Sequence, residues 1–192
     1  ADTDAAVAAA KAAFDDWSQT PKARRIVLLK KFLTVYQARN EEMGRAISLE
    51  MGAPIDMALT SQAESGSEHT EGLIEELEKF EFERALNDSA PNDRIIYEAI
   101  GVCALITPWN WPMNQVSLKA IAAMAAGCTM VLKPSEIAPL SSLVFADMVH
   151  EAGIPAGVFN MVNGDGAGVG SVSYTHPRAH ETREELVCRL LL

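Results

Sequence analysis

The sequence predicts an α/β protein in which a run of helices precedes a parallel sheet built from βαβ units. Three observations carry this. The first ninety residues repeat apolar side chains at helical spacing. From residue 101 onward, three apolar strand-like runs recur at similar intervals: "GVCALI" (101–106), "TMVLK" (129–133) and "VFNMV" (158–162). Between them, "NQVSLKAIAAMAAG" and "SSLVFADMVHEAG" are helical in period, and each ends at glycine. Strands apolar throughout, alternating with amphipathic helices, make parallel units with both sheet faces covered.

Each element has its own warrant. Val7, Ala10, Phe14 and Trp17 form the apolar stripe of a first helix. Thr20-Pro21 reads as an N-cap followed by proline in the first turn, opening a second helix striped by Ile26, Leu29, Leu33 and Tyr36. "NEEMGRAISLEMG" is a third helix with Asn40 as cap and Gly52 as stop. Pro54 starts a longer polar helix, whose later part places Leu73, Leu77 and Phe80 on one face. The pattern changes at "SAPNDR", and "RIIYEAIGVCALI" is one bent strand or two short ones. The expected organisation is a helical segment (1–90), a sheet-forming segment (91–171) and a tail (172–192).

Composition narrows the partners. The 192 residues are 48% hydrophobic, enough for a real core in one domain or in pieces of two. Sixteen basic against 26 acidic residues give a net charge of −10, which argues against nucleic acid or an anionic membrane as partner. Many acids sit in "EHTEGLIEELEKFEFE", read as a solvated helix face. No apolar run is long enough for a membrane span, and no signal peptide is visible. Cys103, Cys128 and Cys188 lack disulfide-framework or CxxC spacing, which suits a reducing compartment. A soluble, cytoplasmic protein is therefore expected.

In open parallel sheets, ligands bind beyond the carboxyl ends of the strands. The unusual residues cluster there: "TPWNWP" (107–112), "KPSE" (133–136) and "NGDGAGVG" (163–170). Each opens a loop toward a helix, where backbone N–H groups and the helix dipole favour anions. The glycines follow GxGxGxG rather than GxGxxG, and no Gly-Lys-Ser/Thr makes a P-loop.

Taken in order, "GVCALITPWNWP…LKPSE…FNMVNGDGAGVG" resembles the aldehyde dehydrogenase superfamily. The upstream "DTDAAVAAAKAAFDDW" and "RIIYEAIGV" look like that family's first helix and the strand entering its cofactor domain. The resemblance covers about residues 2–171. It implies the first βαβαβ part of a Rossmann-like sheet in an incomplete aldehyde dehydrogenase fold. It also implies NAD as cofactor with NADP left open, a small-molecule aldehyde as substrate, and a homo-dimeric or homo-tetrameric parent.

Residue by residue, the resemblance makes Asn110 the amide that stabilises an oxyanion when a cysteine thiolate attacks the aldehyde. Such an amide donates without titrating; the competing reading is a cap for the helix starting near Pro112. Trp109 would pack at the nicotinamide end, or equally serve as a core tryptophan. Ile106, Thr107 and Pro108 would run along the cofactor. Lys133, Ser135 and Glu136 match the adenosine-ribose side, where a carboxylate accepts from ribose hydroxyls and repels a 2′-phosphate. The plain alternative there is a surface ion pair. Gly166 is the foremost pyrophosphate-side contact, with Gly170 beside it in the series; turn geometry alone would also explain both.

The family's nucleophilic cysteine, general-base glutamate and "FTGS"-type turn lie downstream of this glycine loop and are not found here. Cys103 lies in an apolar strand, Cys128 at a packing position and Cys188 in the tail, so none is expected to be catalytic. His69 and His150 are expected to face solvent. From about Val172 the tail looks foreign, and Pro177 argues against metal binding by His176 and His180, so no metal is expected. The chain reads as a piece of an enzyme, inactive alone. A non-catalytic nucleotide-binding module, and an acylating or semialdehyde dehydrogenase of the same superfamily, remain as alternatives.

Overall fold

The computed structural model describes residues 2–166 and 169. Helices α1 (Asp2–Ser18), α2 (Lys22–Ala38) and α3 (Asn40–Met51) come first. A short turn, α4 (Ile55–Met57), and a π-helical turn (Ala58–Gln62) lead into α5 (Glu64–Lys79). A hairpin of β1 (Glu83–Asn87) and β2 (Ala90–Ile96) follows. Then come β3 (Val102–Ile106), α6 (Pro112–Ala125), β4 (Thr129–Lys133), α7 (Leu140–Glu151) and β5 (Phe159–Met161). The last three strands form one parallel sheet in the order β3-β4-β5. The expected α/β class and βαβαβ rhythm are present.

Three local expectations need correction. Thr20 does not cap α2: its hydroxyl donates back to Asp16 O at 2.9 Å, and Pro21 stands at the cap position without a side-chain bond. Asn40 is the first residue of α3 rather than its cap, because its amide donates to Leu59 O at 3.2 Å, across to the π-helical turn. Gly52 does end α3, in the left-handed conformation at φ 73. The helical segment also stops short of residue 90. Phe80 turns extended, and the chain enters β1 at Glu83, with every residue of that strand exposed. A solvated hairpin strand lacks the alternation that marks a half-buried one, so its composition read as helix face.

The sheet is covered on both faces. α1 lies against β4, where the Thr129 hydroxyl donates to Ala10 O at 2.9 Å and Ala10 packs with Val131 and Val162. Alternate strand residues Met130 and Leu132 face the other way, into the main core with α6, α7 and α2. An aromatic chain ties these layers: Phe32 lies 5.9 Å from Tyr36 and 5.0 Å from Phe145, and Phe145 lies 5.5 Å from Phe159. Tyr36 is fully buried, and its hydroxyl is satisfied by Ala63 O at 2.8 Å.

Two contacts fix how the helices seat. Gly157 sits at φ +87, and a Cβ there would fall 2.7 Å from Ala9 O and 2.9 Å from Ala13 Cβ. Gly157→Ala should therefore cost about 2 kcal/mol or more, from the left-handed backbone plus the forced retreat of α1. Urea unfolding of both chains measures it, and an unchanged midpoint refutes the close packing. Separately, the Glu50 carboxylate on α3 caps α7, accepting the backbone N–H groups of Leu140 and Ser141 and the Ser141 hydroxyl. Burial raises its pKa, and those three donors oppose the rise. Glu50→Ala should cost about 1–2 kcal/mol, as loss of a helix cap does. Glu50→Gln, which keeps an acceptor, should lose less in the same measurement.

Candidate active site

Register brings the three strand ends together. Ile106 pairs with Lys133, and Leu132 with Met161. Beyond the ladder, Thr107 N–H donates to Lys133 O at 3.3 Å, and Val162 N–H donates to Leu132 O at 2.9 Å. The loops that start at residues 107, 134 and 163 therefore leave the sheet side by side, at its carboxyl edge.

The first loop is a corner. Thr107 is buried, whereas Pro108, Trp109 and Asn110 are exposed, as is the side of Ile106. Trp109 is 47% exposed in this chain, so it takes no part in the core formed by the described residues. Trp111 adopts φ 49, alone among the described non-glycine residues in having a positive φ. For a bulky residue this conformation costs about 1–2 kcal/mol and is sustained only where the surroundings over-determine it. Here the constraint is local: Trp111 stands between Asn110 and Pro112, the first residue of α6. No side chain caps α6, so Asn110 is not its cap, and its amide has no hydrogen-bond partner among the described residues. An exposed, uncommitted amide on a rigid corner can donate to a charge that develops in front of it.

In the second loop, Lys133 is buried, and its ammonium donates to Pro134 O at 2.9 Å and to Glu136 Oε2 at 3.0 Å. The Glu136 side chain is 53% exposed. Its own backbone N–H, and then Lys133, hold its carboxyl below the usual range, so it is ionised at neutral pH. The Ser135 hydroxyl accepts Ile137 N–H at 3.3 Å and keeps its own proton to donate. A solvent-facing carboxylate steered by a buried ammonium fits a vicinal diol, which donates two hydroxyls, better than it fits a phosphate.

In the third loop, Gly164 at φ 153 lies so close to Val169 that a Cβ would reach 2.3 Å from its Cγ2. Gly166 is exposed with open space around its Cα. Gly170, the helix expected after this loop and the tail (172–192) with Cys188, His176 and His180 lie outside the described residues.

One contact escapes sequence reasoning. His69 does not face solvent: it is half-buried, with Nε2 2.6 Å from Asn114 Oδ1. Asn114 lies in the first turn of α6, so the pair ties α5 to the helix that follows Asn110. Separated by 45 positions, the two residues leave no short-range signal in the sequence. His150 is exposed as expected. Among the described residues, no group of three or more His, Cys, Asp or Glu could hold a metal ion, and no helix is long and apolar enough to cross a membrane.

The model of the aldehyde dehydrogenase family matches residues 1–181. The chain belongs to the aldehyde dehydrogenase family. That match runs past residue 171, where the quoted motifs end. A 3-succinoylsemialdehyde-pyridine dehydrogenase from a Pseudomonas species is 48% identical over 175 residues, covering 91% of this chain and 36% of that protein. The crystal structure of an aldehyde dehydrogenase from Bartonella henselae superposes with a TM-score of 0.90 at 52% identity, over 93% of this chain and 37% of that one. An aldehyde dehydrogenase C variant from Pseudomonas syringae, in complex with NAD+ and octanal, gives 0.88 at 47% identity, over 93% and 36%. This aldehyde dehydrogenase chain thus spans little more than a third of its relatives' length.

Proposed function

We propose that the chain supplies the oxyanion donor and the adenosine-ribose side of the cofactor site in an NAD-dependent aldehyde dehydrogenase. The observation that carries this is the convergence of the Asn110 corner and the Lys133–Glu136 pair at one sheet edge, linked through Thr107 N–H and Lys133 O. NAD, when bound, accepts the hydride that leaves the aldehyde carbon. The chain's own residues do the rest of what is assigned here. Asn110 Nδ2 donates to the oxygen that turns negative as a cysteine thiolate adds to the carbonyl carbon. Ile106, Thr107, Pro108 and Trp109 form the wall along the cofactor, and Gly166 leaves room for its pyrophosphate side. Lys133 holds Glu136 toward the ribose, and Ser135 can donate beside it. The ionised Glu136 carboxylate repels a 2′-phosphate, which favours NAD over NADP.

The thiolate nucleophile and the general base belong to other parts of the parent enzyme, so the 192-residue chain alone should oxidise no aldehyde. The semialdehyde in one relative's name and the octanal bound to another differ in polarity. The shared feature of the two is the aldehyde group, which is the substrate class of the parent enzyme. The family resemblance and the cysteine pattern support a cytoplasmic homo-oligomer, a dimer or tetramer, as the parent.

Titrating the purified chain with NAD+ and NADP+, followed by tryptophan fluorescence, tests the cofactor reading. NAD+ should saturate at the lower concentration, and Glu136→Ala should narrow the gap between the two. Absence of saturable NAD+ binding at millimolar concentration overturns it. Formation of reduced nicotinamide from NAD+ and any aldehyde would overturn the division of labour.

A further inference from the structure

The chemistry assigned to Asn110 leaves the α6 side of its corner without a role. Along α6, Asn114, Gln115, Leu118 and Lys119 stay half-buried between fully buried neighbours. With the exposed Trp111 they make one stripe, at i, i+3, i+4, i+7 and i+8. It starts beside Asn110 and climbs the helix. On α5, which packs against α6, His69 and Leu73 are half-buried as well.

One polar group on that stripe is oriented and unused. His69 Nε2 lies 2.6 Å from Asn114 Oδ1. A carbonyl oxygen only accepts, so the ring donates from Nε2 and fixes which way the amide faces. Asn114 Nδ2 then keeps both N–H donors and has no hydrogen-bond partner among the described residues. For packing alone an apolar side chain would serve there. Asn110 and Asn114 are thus two uncommitted amides four positions apart at the start of α6, about one helical turn, or roughly 6 Å. The charge on the stripe is positive: the Lys119 ammonium donates to Gln115 O at 3.3 Å and to Gln115 Oε1 at 3.0 Å. Glu76, farther along the His69 flank of α5, is already engaged by Lys79 at 3.0 Å.

We infer that the Asn114 amide, oriented by His69, binds an acceptor oxygen at the far end of the substrate, so that the preferred substrates are short aldehydes ending in a carboxylate. This rests on Asn110 as the oxyanion donor. The cofactor wall leads from Trp109 toward Glu136 on the β4 side, so the carbon chain of an aldehyde held at Asn110 leaves along the α6 stripe, past Trp111. One turn on, Asn114 Nδ2 donates to the carboxylate, and Lys119 adds a favourable potential from the end of the stripe. An alkanal of the same length sets a methyl group against that amide and leaves its donors unpaired. A site built around a polar partner rejects such an analogue more strongly than an apolar pocket does. His69 touches no substrate in this arrangement; it is a positioning residue that acts through Asn114.

The test compares succinic semialdehyde with pentanal, an apolar aldehyde of similar length, in steady-state kinetics of the complete enzyme. The kcat/KM of the parent should favour the semialdehyde. In Asn114→Leu that preference should fall about tenfold to hundredfold, mostly through KM, as expected for losing one hydrogen bond to a charged group. Asn114→Asp, nearly identical in shape, should lose at least as much, because like charges repel. His69→Leu should lose part of the preference, and His69→Gln, which keeps an N–H donor, should recover most of it. A purely structural role would lower both aldehydes alike and leave their ratio in place. A parent that prefers pentanal overturns the inference. So does a ratio within twofold of the parent in Asn114→Asp, the variant that decides if circular dichroism shows Asn114→Leu to be unfolded. Asn110→Ala in the same assay separates the two readings. Loss of kcat for both aldehydes, with an unmoved ratio in the Asn114 variants, rejects only the contact at Asn114; an unchanged kcat rejects the oxyanion donor itself.

Discussion

Replacing Asn110 with alanine in the complete enzyme is expected to lower kcat by about a hundredfold to a thousandfold, the usual effect of deleting one oxyanion donor. The donor acts on charge that exists only after the thiolate has added, so KM for the aldehyde and Kd for NAD+ should change little. Stability should hardly move, within about 0.5 kcal/mol, since Asn110 is exposed and caps no helix. These readouts separate the proposed role from the bland one, because a cap or packing residue would lose stability and leave kcat alone. Asn110→Asp should be at least as damaging as alanine, because a carboxylate repels the developing oxyanion. Steady-state kinetics with a saturating aldehyde decides the matter. A kcat within threefold of the parent in Asn110→Ala removes Asn110 from the chemistry.

That Asn110 could be singled out at all reflects where the sequence is informative. Strand β4 is buried at every position, and its apolar run has the same limits in sequence and structure, Thr129–Lys133. Parallel strands buried on both faces leave a run of that kind, and their carboxyl ends are where ligands bind, so the three loops were legible. Hairpin β1–β2 was not. Its residues are nearly all solvated, so nothing enforces alternation, and Glu81 and Glu83 extend the acidic run of α5 up to the first strand residue. The caps at Thr20 and Asn40 failed for a related reason. Both side chains found acceptors outside the cap position, Asp16 O and Leu59 O, and the second exists only once α3 meets the π-helical turn. The same holds for His69 with Asn114. Partners far apart in the chain are joined by tertiary packing, and spacing cannot announce them.

Phe32→Ala is expected to destabilise the chain by about 3–5 kcal/mol, the range for truncating a fully buried phenylalanine. Domains commonly hold only about 5–15 kcal/mol in all, so the variant should be largely unfolded at modest urea or well below the parent's thermal midpoint. The cause is specific. Phe32 on α2 touches Tyr36 on the same helix and Phe145 on α7, and Phe145 passes the contact on to Phe159 on β5. One buried cluster accordingly runs from Trp17 to Val158, through both the helical and the sheet-forming segments. Removing the ring leaves a cavity at their junction that neither side can fill alone, whereas Phe32→Leu, closer in volume, should cost less than half as much. Unfolding followed both by far-ultraviolet circular dichroism and by tryptophan fluorescence reads this directly. Trp17 reports on α1, and Trp109 and Trp111 report on the corner beyond β3. Coincident transitions that shift together in Phe32→Ala are the expected result. Two separate transitions, with only one displaced, would mean that the helices and the sheet fold as independent units.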